Sequence, residues 1–480
     1  MMENRISFFE CPECEDKPRE ACGVFGVFNN NGFDVARLVY FGLYALQHRG
    51  QESCGIAVTN QNGITGYKGL GLISEVFNDK ILDRLDGTIA IGHCRYSTTG
   101  GTSIENSQPL MANYKDGRMA IAHNGNLVNA EKIRRKLEES GAIFQTSTDS
   151  EVIANLISRY GIQTGDLEEI LVKTMQQLEG SYAVVLMTQK RLIGMRDPWG
   201  MRPLCIGKLD DSFILASETC ALDAVGAEFV RDVEPGEIVF IQGREIRSIR
   251  GAAAEKPRHF CIFEHIYFAR PDSFIDGASV YKARLEAGRR LAIEHPAEAD
   301  LVVGVPDSGL TAAIGFSRQS GIPYGEALIK NRYVGRTFIQ PQQKMREQSV
   351  DIKLNVLKEE IAGKRIVLID DSIVRGTTTR KLVQMLKKAG AKEVHMRISS
   401  PPVKFPCYFG IDISSTKQLI AARMSIDEIR ESLGADSLGF LSVEGLIKTP
   451  VGAPNGFCTG CFTGEYPITP DMAESATGCD

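Results

Sequence analysis

The chain has 480 residues, 43% hydrophobic and 24% charged, the length of about two to four domains and the composition of a folded protein. Its 55 basic and 60 acidic side chains leave a net charge of −5, which argues against nucleic acid as the main partner. No apolar run reaches the ~18 residues of a membrane span, no signal-peptide core precedes the first strand, and the twelve cysteines lack a secreted disulfide spacing, so a cytoplasmic location is expected.

Residues 1–21 are polar and show neither helical nor strand period. From Cys22 to about residue 250 short strands and glycine turns predominate: ACGVFGVF, IGHCRYST, RMAIAHNG, SYAVVLMT and EIVFIQG. Asp34 starts a helix with Val35, Leu38, Val39, Leu43 and Leu46 on one face, and NAEKIRRKLEES and LEEILVKTMQQLEG read as two more. Strand runs with helices beside them predict an α+β layered domain over 22–250. GAAAEKPR, residues 251–258, reads as a linker. Over 259–480 the rhythm becomes strand, loop, helix, as in DLVVGVPDSGLTAAIGF and KRIVLIDDSIVRGTTTRKLVQMLKKAG. That predicts an α/β domain with a mainly parallel sheet. In the second unit Leu382, Val383, Met385 and Leu386 form the expected buried stripe, and Gly390 the stop.

The sharpest chemical signal is Val367-Leu368-Ile369-Asp370-Asp371-Ser372-Ile373-Val374-Arg375-Gly376-Thr377-Thr378-Thr379. Two carboxylates end a buried strand, where open α/β sheets bind ligands, and they suit vicinal ribose hydroxyls. The glycine and threonines that follow open a helix, whose N–H groups and hydroxyls suit a phosphate. No Walker loop occurs in the chain. The bland alternative is an acidic turn before a capped helix. KNRYVGRTFIQPQQKMR carries Lys330, Arg332, Arg336, Lys344 and Arg346 with no acid, and suits a loop closing over a diphosphate, an ordinary solvated segment or an RNA patch.

The Asp370–Thr379 segment resembles the phosphoribosyl diphosphate motif of type I phosphoribosyltransferases. Val305-Pro306-Asp307-Ser308-Gly309 is similar to that family's second loop, near the diphosphate and metal. The resemblance implies phosphoribosyl diphosphate on Asp370, Asp371, Gly376, Thr377, Thr378, Lys330 and Arg332. It also implies Mg²⁺ near Ser308, Asp370 and Asp371.

Cys22 opens the first strand, where a cysteine is ordinarily core. Four polar loops change that reading: Gln47–Glu52, Gly92–Thr98, His123–Leu127 and Ser147–Glu151. In this order they resemble the glutaminase domain of N-terminal-nucleophile amidotransferases, an αββα fold. The resemblance makes Cys22 the nucleophile and its own α-amine, which titrates near pH 7.7–8.0, the base. It places Arg95 on the glutamine α-carboxylate, Asp149 on the α-ammonium, and Asn124 with the Gly125 N–H in the oxyanion hole. Because Cys22 follows 21 residues, Met1–Ala21 is expected to be a propeptide that is removed. Cys11 and Cys14 within it have no explanation.

Cys261, Cys407, Cys458 and Cys461 remain. Four thiolates suit zinc or [4Fe–4S] equally on ligand count, the spacing picks neither, and His259 reads as a surface histidine before it reads as a competing ligand. Taken together, nearly the whole chain resembles glutamine phosphoribosylpyrophosphate amidotransferases, through IYFARPDS, IKNRYVGRTFIQP, VLIDDSIVRGTT and SVEGL…CFTGEYP. The resemblance points to the branch in which these four cysteines hold one [4Fe–4S]. It implies glutamine and phosphoribosyl diphosphate as substrates, Mg²⁺ assistance, inhibition by purine nucleotides, and a homo-oligomer, often a tetramer. Glucosamine-6-phosphate synthase and asparagine synthetase share the glutaminase half but do not need the Asp370–Asp371 loop. A regulatory protein that binds phosphoribosyl diphosphate without turnover is the alternative of another class.

Overall fold

The computed structural model describes residues 22–96, 101, 103–115, 117–251, 256–331, 354–411, 413 and 416–468. Met1–Ala21, Ser97, Thr98, Arg332, Arg336, Lys344, Arg346 and part of the expected linker lie outside them. The described chain divides into two compact units.

The first unit begins with two antiparallel sheets. One runs in the order Glu228–Asp232, Cys205–Leu209, Ser212–Ala216, Gly23–Phe28, Ile89–Arg95, Ser53–Asn60, Gly63–Leu70. The other runs Glu245–Arg250, Glu237–Gln242, Leu192–Arg196, Gly180–Met187, Gly117–Leu127, Leu110–Tyr114. Period-two alternation explains why they stack. Phe25 and Val27 face the helix Val35–Ala45, whereas Val24 turns to the opposite face and packs with Ala120, Ala122, Ala183 and Val185 of the second sheet. Met119, Ile121, Val184 and Leu186 cover the outer face of that sheet with the helices Asp149–Gln163 and Leu167–Gln177. The result is helix, sheet, sheet, helix, as expected. The first helix is capped by Asp34, which accepts from Arg37 N, and its Gly42 has no room for a side chain, since a Cβ there would lie 2.4 Å from the Phe25 ring.

The second unit holds a four-stranded parallel sheet in the order Leu301–Gly304, Arg365–Asp370, Glu393–Ile398, Ser437–Phe440. The helices Leu310–Ser320 and Thr377–Lys388 follow its first two strands. Leu382, Val383 and Leu386 are buried as expected and Gly390 stops the helix region with φ of +99°. Met385 is only partly buried, and Thr379 takes the fourth buried position of the stripe.

The units do not divide at the expected linker. Among the described residues, those of 22–284 group with those of 405–413 and 447–468, and those of 285–404 group with those of 416–446. The cause is hydrogen bonding from segments distant in sequence. Asn126 Nδ2 donates to Tyr408 O (2.9 Å) and Ser181 Oγ to Phe409 O (2.7 Å), while His259 N donates to Trp199 O (2.8 Å). Phe260–Cys261 in turn pairs in parallel with Phe457–Cys458. The cysteine-bearing segments thus belong to the unit of Cys22.

Candidate active sites and cysteine cavity

Cys22 sits just before the central strand Gly23–Phe28, at a recess lined by Arg95, Tyr96, Gln108, His123, Gly125, Thr148 and Asp149. Its Sγ lies 3.4 Å from Tyr96 O and accepts from Tyr96 N at 3.5 Å. Burial pushes the thiol up, and the Tyr96 backbone and Arg95 offset only part of that, so the group needs a base before it can attack. His93 is not that base, because burial pushes it down to about 3 and its Nε2 is engaged with His123 O at 3.0 Å.

The strand Gly117–Leu127 of the second sheet brings Gly125, with Asn124 beside it, to the same recess. Asn124 is fully buried, and neither its Oδ1 nor its Nδ2 has a partner among the described residues. An unpaired buried amide costs free energy, so such a group is expected where a substrate supplies the missing partner. Gly125 has φ of +148°, and a Cβ there would meet Ser181 O at 2.0 Å. Only glycine fits this stretch of strand.

Asp149 opens the helix Asp149–Gln163, with Oδ2 accepting from Leu127 N at 3.0 Å and Oδ1 lying 3.5 Å from His123 Nδ1. Burial opposes its charge, but His123 and the backbone bonds outweigh burial and hold the carboxyl below its ordinary value. It is therefore an anion at neutral pH. Arg95 is buried across the recess with Nη1 3.4 Å from Gly101 O. Gln108 was not anticipated: it fixes the recess by accepting from His123 N (2.7 Å) and donating to Ser150 Oγ (2.9 Å). A lone Gln-Pro in sequence carries no signal of such a role.

In the other unit Asp370 ends the second strand of the parallel sheet and Asp371 follows it, both buried. Asp371 N donates to Asp370 Oδ1 (2.9 Å) and Ser372 Oγ to Asp371 Oδ1 (2.5 Å). Gly376, at φ of +81°, caps the helix that starts at Thr377; Thr377 is exposed and Thr378 half-buried. The loop Val305–Gly309 lies against this strand, since Val305 N donates to Ile369 O (2.8 Å) and a Cβ on Gly309 would approach that oxygen to 2.4 Å. Lys330 reaches the same loop through Asp307 Oδ2 at 2.6 Å, and Ser308 is half-buried within it. The structure therefore gathers Asp370, Asp371, Gly376, Ser308 and Lys330 at one sheet end.

Cys261, Cys407, Cys458 and Cys461 line one small cavity, with Met201, Arg202, Phe263, Phe409, Ile411 and Tyr466 as the other walls. Cys261 and Cys458 face each other in the parallel pair, and all four are free thiols. Burial pushes each of them up as a thiol. His259 does not line this cavity.

The glutamine amidotransferase domain family matches residues 93–224 and the phosphoribosyl transferase domain family residues 279–399. An amidophosphoribosyltransferase of Archaeoglobus fulgidus is 52% identical over 450 residues, covering 93% of this chain and 98% of its own. The chain belongs to the amidophosphoribosyltransferase family. The relative from Methanocaldococcus jannaschii is 50% identical over 460 residues, covering 93% of this chain and 97% of its own. A solved glutamine phosphoribosylpyrophosphate amidotransferase from B. subtilis, complexed with ADP and GMP, superposes with a TM-score of 0.88 at 49% identity, covering 94% of this chain and 98% of that one. As an amidophosphoribosyltransferase the enzyme converts 5-phosphoribosyl 1-diphosphate, glutamine and water to 5-phosphoribosylamine, glutamate and diphosphate, the first committed step of purine synthesis.

Proposed function

We propose that Cys22, Asn124 and Gly125 release ammonia from glutamine, and that Asp370, Asp371 and the Gly376–Thr378 turn hold the phosphoribosyl diphosphate that receives it. The observation that carries the first half is the buried Asn124 amide left without a partner next to a glycine that lines the Cys22 recess. Arg95 and Asp149 supply the opposite charges that fit the α-carboxylate and α-ammonium of an amino acid. Cys22 Sγ bonds to the amide carbon, its proton passes to its own α-amine, and the oxyanion is met by Asn124 Nδ2 and Gly125 N–H. The α-ammonium returns that proton to the amide nitrogen as the C–N bond breaks, ammonia leaves, water opens the thioester, and glutamate is released. The base requires removal of Met1–Ala21. Replacing Asn124 with alanine is expected to lower kcat for glutamine hydrolysis by about 10²–10³ with little change in KM, as for loss of one oxyanion donor. A loss confined to KM would place Asn124 in ground-state binding instead.

In the second half Asp370 and Asp371 would accept from the ribose hydroxyls, while the helix start, Thr377 and Thr378 cradle the 5-phosphate. Lys330 and, outside the described residues, Arg332 would face the diphosphate. Ammonia bonds to ribose C1 as the C1–O bond to diphosphate breaks. The oxygen donors Ser308, Asp370 and Asp371 suit Mg²⁺; bound there with diphosphate oxygens, it would neutralise the leaving group's charge. Purine nucleotides are proposed as inhibitors, in line with the ADP and GMP of the B. subtilis complex. A cytoplasmic homo-oligomer, a tetramer, completes the proposal.

The four cysteines are proposed to hold one [4Fe–4S]. A zinc ion would draw four sulfurs to about 2.3 Å from one point. Either group needs what the structure shows, all four thiols bordering one apolar cavity. The group would act as a staple, joining 260–261, Cys407 and the 457–461 segment, with no redox role, since the reaction involves no redox change. Anaerobically purified protein is expected to contain about four iron and four sulfide per chain, a count set by the proposed cluster. Stoichiometric zinc without sulfide, or full stability of Cys458→Ser, would contradict this.

A further inference from the structure

Four buried charged side chains, Arg49, Glu218, Glu264 and Arg202, extend from the Cys22 carbonyl to the four-cysteine cavity within one unit. Arg49 Nε donates to Cys22 O at 3.3 Å, while Nη2 clamps both oxygens of Glu264 at 2.7 and 2.9 Å and Nη1 donates to Glu218. Arg202 Nη1 reaches the same Glu264 Oε1 at 3.2 Å, and its Nη2 donates to Phe409 O. Arg202 also lines the cavity, and its buried Nε has no partner among the described residues. Glu264 itself sits on a single turn of π-helix, Glu264–Phe268, a local irregularity often found at functional sites.

Burying four charges is costly unless they are paired, and here two arginines already balance two glutamates. Thiolates in the cavity add negative charge that this balance does not meet. Arg202 is the cation placed to meet it, since it lines the cavity together with all four cysteines and its buried Nε is left without a partner among the described residues.

We infer that Arg202, Glu264 and Arg49 are positioning residues that pass the occupancy of the cysteine cavity to Cys22. The inference rests on the nucleophile and cluster assignments proposed above. Three groups on the Cys22 Cα matter for catalysis: the thiol-bearing carbon, the carbonyl and the nitrogen. Tyr96 holds the thiol and Arg49 holds the carbonyl, so chirality leaves the nitrogen a single direction. The α-amine is thereby aimed relative to its own sulfur. When Arg202 turns its charge to thiolates, Glu264 is left to Arg49 and the aim is fixed. When the cavity is empty, Arg202 competes for Glu264 and the clamp loosens.

The test uses Glu264→Gln, Arg202→Met and the double variant, each assayed for iron, ammonia-dependent transfer, glutaminase kcat and KM, and the rate at which iodoacetamide alkylates Cys22. Each single variant is expected to lose about tenfold to hundredfold in glutaminase kcat, the scale of a misaimed group, with KM within about twofold. Transfer from ammonia should be retained, and Cys22 alkylation should slow by a similar factor. The double variant restores the buried charge balance, so it reports even if Glu264→Gln folds poorly, and its loss should not exceed that of the worse single variant. Removing iron from the unsubstituted enzyme should slow Cys22 alkylation as Arg202→Met does, with no further slowing in that variant. Unchanged kcat in the variants, additive losses in the double variant, or parallel loss of both half-reactions would overturn the inference, as would iron removal that leaves alkylation unchanged. Absence of iron and sulfide in the unsubstituted enzyme would instead refute the cluster assignment, and with it the cavity end of the chain, leaving the Arg49–Glu264 arm judged by Glu264→Gln alone.

Discussion

Cys22→Ala is expected to abolish glutamine-dependent formation of phosphoribosylamine while leaving transfer from added ammonia intact. Losing the nucleophile removes the thioester route entirely, and the fall in glutaminase kcat should be on the order of 10⁴–10⁶. The ammonia reaction survives because Asp370, Asp371 and the threonine turn belong to the other unit. The same chemistry sets the pH dependence in the unsubstituted enzyme. Burial raises the Cys22 thiol, so it attacks only as its proton is taken, and the α-amine can take it only when unprotonated. Glutaminase activity should therefore fall as pH drops through about 7.7–8.0, the ordinary range of such an amine. Steady-state glutamate release between pH 6 and 9 (assay conditions of roughly that span) checks the direction; a profile that rises toward acid would remove the amine from the mechanism.

Asp370→Asn and Asp371→Asn should produce the opposite separation. An amide keeps one acceptor oxygen, so the Asp371 N–Asp370 and Ser372–Asp371 contacts that shape the turn can persist. What is lost is the charge that strengthens bonds from the ribose hydroxyls, worth about 1.5–3 kcal/mol per contact. Each substitution should cost roughly 10- to 150-fold in kcat/KM for phosphoribosyl diphosphate, with basal glutaminase unchanged. Stimulation of glutaminase by phosphoribosyl diphosphate should disappear with both positions changed. Normal transfer by the double variant would mean that the carboxylates serve only the turn.

The Asp370–Thr379 turn was legible because its signal is local: an apolar strand, two acids and a helix start lie within thirteen consecutive residues. The layered half was legible for a similar reason, since period-two strands such as Gly23–Phe28 declare both of their faces. The boundary between units was not. Cys261, Cys407 and Cys458 join the Cys22 unit through bonds that span hundreds of residues, such as Ser181 to Phe409, and no window of sequence contains both partners. Arg49, Arg202 and Glu264 were missed although a trace was present. Glu264 stands in Cys-Ile-Phe-Glu-His-Ile-Tyr-Phe, and a lone charge among large apolar neighbours signals a buried pair. Its partners lie 215 and 62 residues away, which is why the pair could not be named from sequence.

The mechanism stands on a free amine at Cys22, and the N-terminus of the active enzyme tests that directly. Intact mass together with N-terminal sequencing should show a chain that starts Cys-Gly-Val-Phe-Gly, with glutaminase activity rising in proportion to that species. An enzyme fully active on glutamine while still carrying Met1–Ala21 would contradict it.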